Sequence, residues 1–227
     1  MTGHSPRSST PRADRNGATR ERILVAAEQL FAEHGVFAVS NRQVADAAGQ
    51  GNTAVVGYHF GTKIDLVRAI VRRHTEAIEQ ARERLLEQIG DSHEVRDWVD
   101  GLVRPNVEHL ATLGAPTWFA RFGAQIMTDP ALREIMIDEA LTSRSLQRML
   151  DGLNRCLPAL PVEVRMERGD IVRHLQVHVL AERERALAEG THTPRATWQD
   201  AATGLVDALV GVWLAPVTPV RDDSVAP

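Results

Sequence analysis

The chain has 227 residues, of which 43% are hydrophobic and 25% charged, and it carries a formal net charge of −4 at pH 7. This composition is typical of a soluble globular protein, and the length suffices for one small and one larger domain. No apolar run approaches the ~18 residues of a transmembrane helix, and the N-terminus lacks a hydrophobic signal segment. Because the single Cys156 excludes a disulfide framework within one chain, we expect a cytoplasmic protein.

The N-terminal part of the chain is basic, although the whole is acidic. Residues 1–63 hold seven Lys or Arg against five Asp or Glu. A basic end on an acidic protein favours a local phosphate-binding surface over nonspecific coating of nucleic acid. Residues 1–17 are polar, rich in Ser, Pro and Arg, and aperiodic, which predicts a disordered arm. The arm is either a plain ragged end or an Arg-bearing segment that touches DNA.

From Ala18 onward the pattern predicts helices throughout. No segment shows the sustained alternation or the hairpin turns of β-strands, so the predicted fold class is all-α. The first helix ends at Gly35, where a left-handed residue is favoured. Its predicted buried stripe follows the spacing of one helix face and comprises Ile23, Ala26, Ala27, Leu30 and Phe31.

Three further helices follow in quick succession. Ser40 is a favourable N-cap for the second helix, which ends at Gly49. A short third helix runs from Asn52, itself a competent cap, to about Phe60. The fourth runs from Lys63 to about Ile89, and Gly90 stops it.

Three helices within about 45 residues, the last two short and joined by a glycine corner, predict a helix-turn-helix DNA-binding domain at residues 18–63. Gly51 lets the chain turn without a Cβ in the way. The side chains of Tyr58 and His59 can donate hydrogen bonds to phosphate, whereas Phe60 belongs in the core. Lys63, the only lysine of the chain, offers a point charge to a phosphate.

The segment from Thr19 to Ile70 resembles the DNA-binding domain of the TetR family of bacterial transcriptional regulators. The resemblance rests on "AEHG" at the end of the first helix, "VADAAG" in the second, and "YHFGTK" before the fourth. It implies that the start of the second helix and Lys63 bind phosphate, and that the third helix meets DNA. The candidate DNA-contacting residues are Arg20, Ser40, Asn41, Arg42, Gly51, Asn52, Thr53, Ala54, Val55, Gly57, Tyr58, His59 and Lys63.

Two departures from the family pattern bear on DNA recognition. The corner "GQGN" holds one residue more than the commonest form, which predicts a wider turn. Gly57 stands where many relatives carry an aromatic or polar side chain, which removes a possible contact and weakens the helix. Readout is therefore expected from Thr53, Tyr58, backbone groups, and the methyl groups of Ala54 and Val55, which can meet thymine.

Residues 64–216 carry no comparable motif, and residues 217–227 are predicted to be a flexible tail. The resemblance implies that the larger segment is a helical domain for ligand binding and dimerisation. It is expected to form five or six helices, separated by breakers at Gly90, Gly114 to Pro116, Asp129-Pro130, Leu157 to Pro161, and Gly190 to Pro194.

Two helical stripes are candidates for a dimer interface, as half of an intermolecular four-helix bundle. The alternative is that both stripes face the chain's own core. The candidate interface residues are Ile171, Val172, Leu175, Val179, Leu205, Val206, Leu209, Val210 and Trp213, and Ala202 begins the second stripe.

Aromatic residues and methionines are concentrated in the middle of the chain, where they either line a ligand pocket or form plain core. The candidate pocket residues are Trp98, Trp118, Phe119, Phe122, Met127, Met136 and Met149. His174 and His178 have the spacing of helical metal ligands, but no third ligand is spaced to join them, so no metal is expected.

The sequence thus predicts a homodimeric transcriptional regulator that binds a palindromic operator in double-stranded DNA and is released by a small-molecule effector of unknown identity, most simply a repressor. No cofactor, catalytic residue or membrane partner is expected. The alternatives are an architectural or activating DNA-binding protein without an inducer, or a helical enzyme, for which no catalytic motif is present.

Overall fold

The computed structural model describes residues 11–218, with side chains from residue 15 onward. Every regular element in this part of the chain is a helix, which confirms the all-α class. The helices are α1 (Pro11–His34), α2 (Asn41–Ala47), α3 (Ala54–Phe60), α4 (Lys63–Ile89), α5 (Val95–Leu113), α6 (Phe119–Thr128), α7 (Pro130–Leu141), α8 (Arg144–Cys156), α9 (Val162–Ala188) and α10 (Trp198–Leu214). Within these bounds no helix has the length and apolarity required to cross a membrane.

Helix α1 begins earlier than the sequence pattern predicts. It starts at Pro11 rather than Ala18, so the expected arm is wrong over residues 11–17, and residues 1–10 lie outside the described part. Proline suits a first helical position because the N–H it lacks has no partner there. The added turns leave Arg15 and Asn16 exposed, so no hydrophobic stripe marked them. Of the predicted tail, residues 219–227 also lie outside the described part.

The predicted helix ends at glycines are confirmed. Gly35, Gly49 and Gly90 have φ angles of +85°, +68° and +56°, in the left-handed region that side chains disfavour. Gly35 and Gly90 directly follow the last residues of α1 and α4, and Gly49 follows Ala48, the C-cap of α2.

The chain folds into two compact units. The first contains the described residues up to Thr75 together with Thr117–Glu139. It is therefore larger than the predicted domain of residues 18–63, because α6 packs against α1. Its core includes the fully buried Ile23, Leu24, Phe31, Val44, Leu66, Val67, Ile70, Phe122 and Ile126.

The second unit contains Glu76–Pro116 and the described residues from Ala140 onward. In it α5 packs against α8 and α10, and α10 also packs against α9. Between α4 and residue 218 the structure has six helices, α5 to α10. The predicted breakers omit the break between α7 and α8, where the Ser143 hydroxyl caps α8 by accepting the N–H of Leu146 at 3.0 Å.

Candidate nucleic-acid interface

The start of α2 is fixed by a capping box. Ser40 Oγ accepts the backbone N–H of Gln43 at 3.2 Å, and the Gln43 side chain accepts the backbone N–H of Ser40 at 2.8 Å. Ser40 and Arg42 are exposed and Asn41 is half-buried, so the candidate contacts of this helix lie at the surface. The Arg42 side chain is 80% exposed, and its Nε lies 3.8 Å from Asp46 Oδ2, which is a long ion pair. The guanidinium is therefore accessible to a DNA phosphate.

The corner between α2 and α3 spans the six residues 48–53. Two backbone bonds hold its first part: the N–H of Gly49 to the carbonyl of Asp46 at 3.0 Å, and that of Gln50 to Ala45 at 2.9 Å. Asn52 Oδ1 then accepts the N–H of Ala54 at 2.9 Å, which orders the entry to α3. Gly51, Asn52 and Thr53 are exposed, as a recognition surface requires.

Helix α3 has one buried and one open face. Its buried side chains are Val56 and Phe60, and Val55 is half-buried. The open face presents Ala54, Gly57 and Tyr58, the last of which is 76% exposed. His59 is half-buried and meets the Tyr58 ring edge-on, with ring centroids 5.2 Å apart. A Cβ built on Gly57 meets nothing within 4 Å, so the helix backbone is accessible from outside.

Lys63 does more than the sequence predicts. Its ammonium donates hydrogen bonds to the backbone carbonyls of Val36 at 3.2 Å and Val39 at 2.5 Å. An ammonium has three donors, so one remains for a phosphate. The residue therefore ties the start of α4 to the α1–α2 connection, a contact 24 to 27 residues away in sequence that the motif alone does not reveal.

Next to Lys63 a local hydrogen-bond motif fixes the start of α4. The Thr62 hydroxyl donates to Asp65 Oδ2 at 2.6 Å, and this bond is the largest cause that holds the pKa of Asp65 below its ordinary value. Ionised Asp65 also accepts the backbone N–H of Thr62 at 3.1 Å. A carboxylate at this end of the helix is favourable for the helix dipole.

A cleft of about 600 Å³ lies beside α3 in the first unit, and its lining includes four arginines. The guanidinium of Arg20 lies over the Phe60 ring, 4.8 Å from its centroid. Arg72 instead pairs with Glu139 on α7 through Nε at 3.0 and 3.1 Å, which raises the pKa of Arg72. Arg68 and Arg72 are absent from the residues predicted from sequence, although their i, i+4 spacing on α4 signals a shared face.

The structure does not bring the candidate pocket residues together in one unit. Trp118, Phe119, Phe122, Met127 and Met136 belong to the first unit, and Trp98 and Met149 to the second.

In the first unit, the three neighbouring aromatic residues are held by protein contacts. Phe122 is fully buried and stacks on Phe31 with centroids 6.4 Å apart. Phe119 stacks on His74 at 3.9 Å, and the Trp118 indole N–H donates to Glu33 at 3.1 Å.

In the second unit, Trp98 and Met149 fill space that glycines leave open. An ideal Cβ on Gly152 would lie 2.2 Å from the Trp98 ring, and one on Gly101 would lie 2.4 Å from Met149 Cε. The Trp98 indole N–H donates to a backbone carbonyl at 3.1 Å. Here the two candidate pocket residues form dense interior packing.

The two candidate interface stripes differ in exposure. On α9, Ile171, Leu175 and Val179 are 42%, 38% and 42% exposed, whereas Val172 is buried. The stripe on α10 is corrected to core packing, because α10 packs against α5 within the same chain. Its members Leu205, Val206, Leu209 and Trp213 are all buried, and Val210 is half-buried.

Comparison with known proteins identifies both parts of the chain. Residues 23–70 match the family model of bacterial regulatory proteins of the tetR family, and residues 100–211 match that of the tetracyclin repressor-like C-terminal domain. The HTH-type transcriptional activator FasR of Mycolicibacterium smegmatis is 33% identical over 66 residues. That match covers 29% of this chain and only 28% of FasR.

Solved structures share the fold over most of the chain. A TetR family regulator from Marinobacter aquaeolei has a TM-score of 0.57 at 18% identity, covering 86% of this chain and 97% of that one. NalD, the secondary repressor of the MexAB-OprM multidrug efflux pump in Pseudomonas aeruginosa, has a TM-score of 0.56 at 20% identity, covering 90% and 100%. Taken with the two family models, the helix-turn-helix geometry shows that this chain belongs to the TetR family of bacterial transcriptional regulators.

Proposed function

We propose that this regulator is a homodimeric repressor that binds a palindromic operator and is released from it by a small molecule. The observation that carries the DNA-binding part is the open face of α3, with its accessible backbone at Gly57 and the exposed Tyr58. A capped α2 and the core residues Val56 and Phe60 hold that face in place. We expect it to enter the major groove of bacterial chromosomal DNA in the cytoplasm.

The chemistry of the α3 surface favours mixed readout. The Thr53 hydroxyl can bond a base edge or a phosphate, and the Ala54 methyl group fits against thymine. The Tyr58 hydroxyl can donate a hydrogen bond to a phosphate oxygen, a contact that positions the helix without specifying the base sequence. Because Gly57 adds no side chain, the helix can approach the DNA more closely than a bulkier residue would permit.

The sign of regulation has two candidates. NalD is a repressor and shares the fold at 20% identity, whereas FasR is an activator and is 33% identical over its matched segment. We propose repression, since occupancy of an operator that overlaps a promoter suffices for it. A reporter assay with the selected operator placed over or upstream of the promoter distinguishes the two, because an activator raises transcription from the upstream position.

The dimer is proposed to form through the exposed apolar residues of α9. Burying Ile171, Leu175 and Val179 against a second copy removes their apolar surface from water. In a two-fold interface the same three residues of both chains are buried. Leu175→Glu is expected to produce a folded monomer, because this side chain is 38% exposed in the single chain. Leu187→Glu on the same helix, also at a leucine 38% exposed, is the control. Sedimentation that finds the wild type monomeric at micromolar concentration would contradict the dimer.

Release by an effector is proposed as a population shift. A small molecule bound to the helical C-terminal domain lowers operator affinity only if it prefers the conformation that binds DNA poorly. Two recognition helices must meet half-sites about one DNA turn apart, roughly 34–36 Å, or somewhat more. A modest change in their separation is therefore enough to weaken binding at both half-sites.

Selection of bound sequences from a random DNA pool at fixed salt tests the DNA-binding proposal. We expect an inverted repeat, and expect Tyr58→Ala to weaken binding to it by about tenfold or more through loss of a hydrogen bond to a charged group. Phe37→Ala is the matched control, since Phe37 is also an exposed aromatic residue (61%) but lies outside α3. A pool without a recovered repeat, or equal losses for both variants, would refute sequence-specific binding through α3.

A further inference from the structure

Two histidines on α9 form a pair that the proposed function does not use. His174 and His178 are one helical turn apart, and both are exposed. Their rings are parallel within 4°, with centroids 6.3 Å apart. Imidazoles at i and i+4 on one helix face can ligate one metal ion when small torsional changes bring a nitrogen of each to about 2.0–2.1 Å from it.

The groove around this pair combines apolar and acidic side chains. Ile171, Leu175 and Val179 line it together with the two histidines, Glu167 and Asp170. If this surface becomes the dimer interface, the imidazoles lose water. An imidazole buried without a hydrogen-bond or metal partner carries a cost, and one metal ion that binds both rings removes it.

One chain supplies only part of a metal site. Within the described residues no group of three or more His, Cys, Asp or Glu side chains is placed to hold a metal ion. Structural zinc sites use four ligands in a tetrahedron. The pair is therefore incomplete unless further ligands come from a second copy.

The position of the pair along α9 makes a second copy a suitable source. Helix α9 has 27 residues from Val162 to Ala188, and its midpoint is Leu175. In a two-fold interface that crosses at the middle of a helix, residues near the midpoint meet the same residues of the other copy. Two histidines from each chain then give four nitrogen ligands around the axis.

We propose that His174 and His178 of two copies form a zinc(II) site that locks the dimer. This inference rests on the proposed α9 dimer. Imidazole nitrogen is a suitable ligand for zinc, and four neutral imidazoles can bind it without any cysteine. Since the complete site exists only in the dimer, zinc binding and association are linked, and each strengthens the other.

The test measures zinc stoichiometry and association together in the full chain. Protein stripped with EDTA is titrated with zinc chloride, and its dimer dissociation constant is measured by sedimentation with and without the ion. We expect one zinc per two chains and a dimer at least about tenfold tighter. Cobalt(II) substituted for zinc should give the intense visible absorption of a tetrahedral site.

Variants separate this site from weak chelation at a surface. His174→Gln and His178→Gln should each remove the effect of zinc on association, so that the dimer dissociation constant of each variant is the same with zinc as with EDTA. His192→Gln, at an exposed histidine in the loop after α9, should leave the effect intact. One zinc per chain with no change in association would be a surface chelate only and overturns the proposal.

The failure of this proposal is distinguishable from that of the proposed function. A protein that is dimeric and binds its operator equally with zinc or with EDTA has no zinc lock, but its dimer stands. A protein that stays monomeric in both conditions refutes the dimer itself and the zinc site with it.

Discussion

Replacing Lys63 with alanine tests two roles of one side chain, one observed in the structure and one proposed. Its ammonium donates to the carbonyls of Val36 and Val39, at 3.2 and 2.5 Å, and retains one donor. The first role holds the start of α4 against the α1–α2 connection. The second, contact with a DNA phosphate, is proposed for the remaining donor. Each role has its own measurable consequence.

The expected magnitudes follow from these contacts. Hydrogen bonds to a charged group contribute about 1.5–3 kcal/mol, and because Lys63 is only half-buried we take ~2 kcal/mol for the pair. For a chain of this size that lowers Tm by roughly 4–8 °C. Loss of one phosphate contact reduces the slope of log K against log salt by ~0.9 per subunit, or about 1.8 for a dimer.

Thermal melts and fluorescence anisotropy at several salt concentrations provide the measurements. Arg42→Ala is the first control: its side chain is 80% exposed, so the salt slope should fall while Tm stays unchanged. Arg84→Ala, which removes an exposed partner of Glu108 in the second unit, should change neither. If Lys63→Ala lowers Tm without altering the slope, the phosphate role is refuted. A lower slope with an unchanged Tm would refute the structural role.

Two further predictions concern the second unit. Gly152→Ala should destabilise the protein by about 1–3 kcal/mol or more, because the added Cβ would lie 2.2 Å from the rigid Trp98 ring. Gly169→Ala is the control: its Cβ would lie 3.8 Å from the nearest atom, and the change should stabilise the helix by ~0.5–1 kcal/mol. Equal Tm values for the two variants would contradict this prediction. Burial raises the pKa of Glu79, but hydrogen bonds led by that from Ser145 more than offset it, so its pKa is lowered. Glu79 therefore stabilises the fold above its unfolded pKa, and the Tm advantage over Glu79→Gln should disappear as the pH falls through the folded pKa; a difference that grows towards acid would contradict this.

The DNA-binding helices were predictable because their signals are local. Ser40 and Gln43 form a box three residues apart, and the glycine ends at Gly35 and Gly49 are set by backbone geometry at single positions. By contrast, the carbonyl partners of Lys63 lie 24 and 27 residues away. No local sequence pattern specifies a bond of that kind. The sequence therefore indicated only a phosphate-binding role for Lys63 and not its structural role.

The missed break before α8 and the early start of α1 have a common cause. Ser143 is a good N-cap, but it follows a continuous run of helix-forming residues, so only its bond to the Leu146 N–H distinguishes it. Similarly, Pro11 can start a helix, and no hydrophobic stripe in the sequence marks residues 11–17. Where no hydrophobic stripe is present, only helical propensity indicates where a helix begins or ends, and that signal is weak. Hydrophobic periodicity does not reveal boundaries of this kind.

The aromatic cluster shows a different limit. Trp118, Phe119 and Phe122 are close in sequence and suggest one cavity wall together with Trp98. The structure instead assigns the three to the first unit and Trp98 to the second. The sequence shows that these aromatic side chains are available for burial. Which of the two units buries each of them depends on contacts between segments that are distant in sequence.

The two interface stripes differ in how far their own chain covers them. On α10 the apolar residues favour one face, and Leu205 and Leu209 on it are buried within the chain. On α9, Val172 and Leu180 are buried while Leu175, three residues from Val172, is exposed, so the apolar stripe of this helix is wider than the surface that its own chain covers. An apolar stripe that is only partly covered within the chain leaves area for a second copy to bury. That asymmetry, rather than the presence of a stripe, favours α9 over the predicted α10 residues as the surface that a second copy covers.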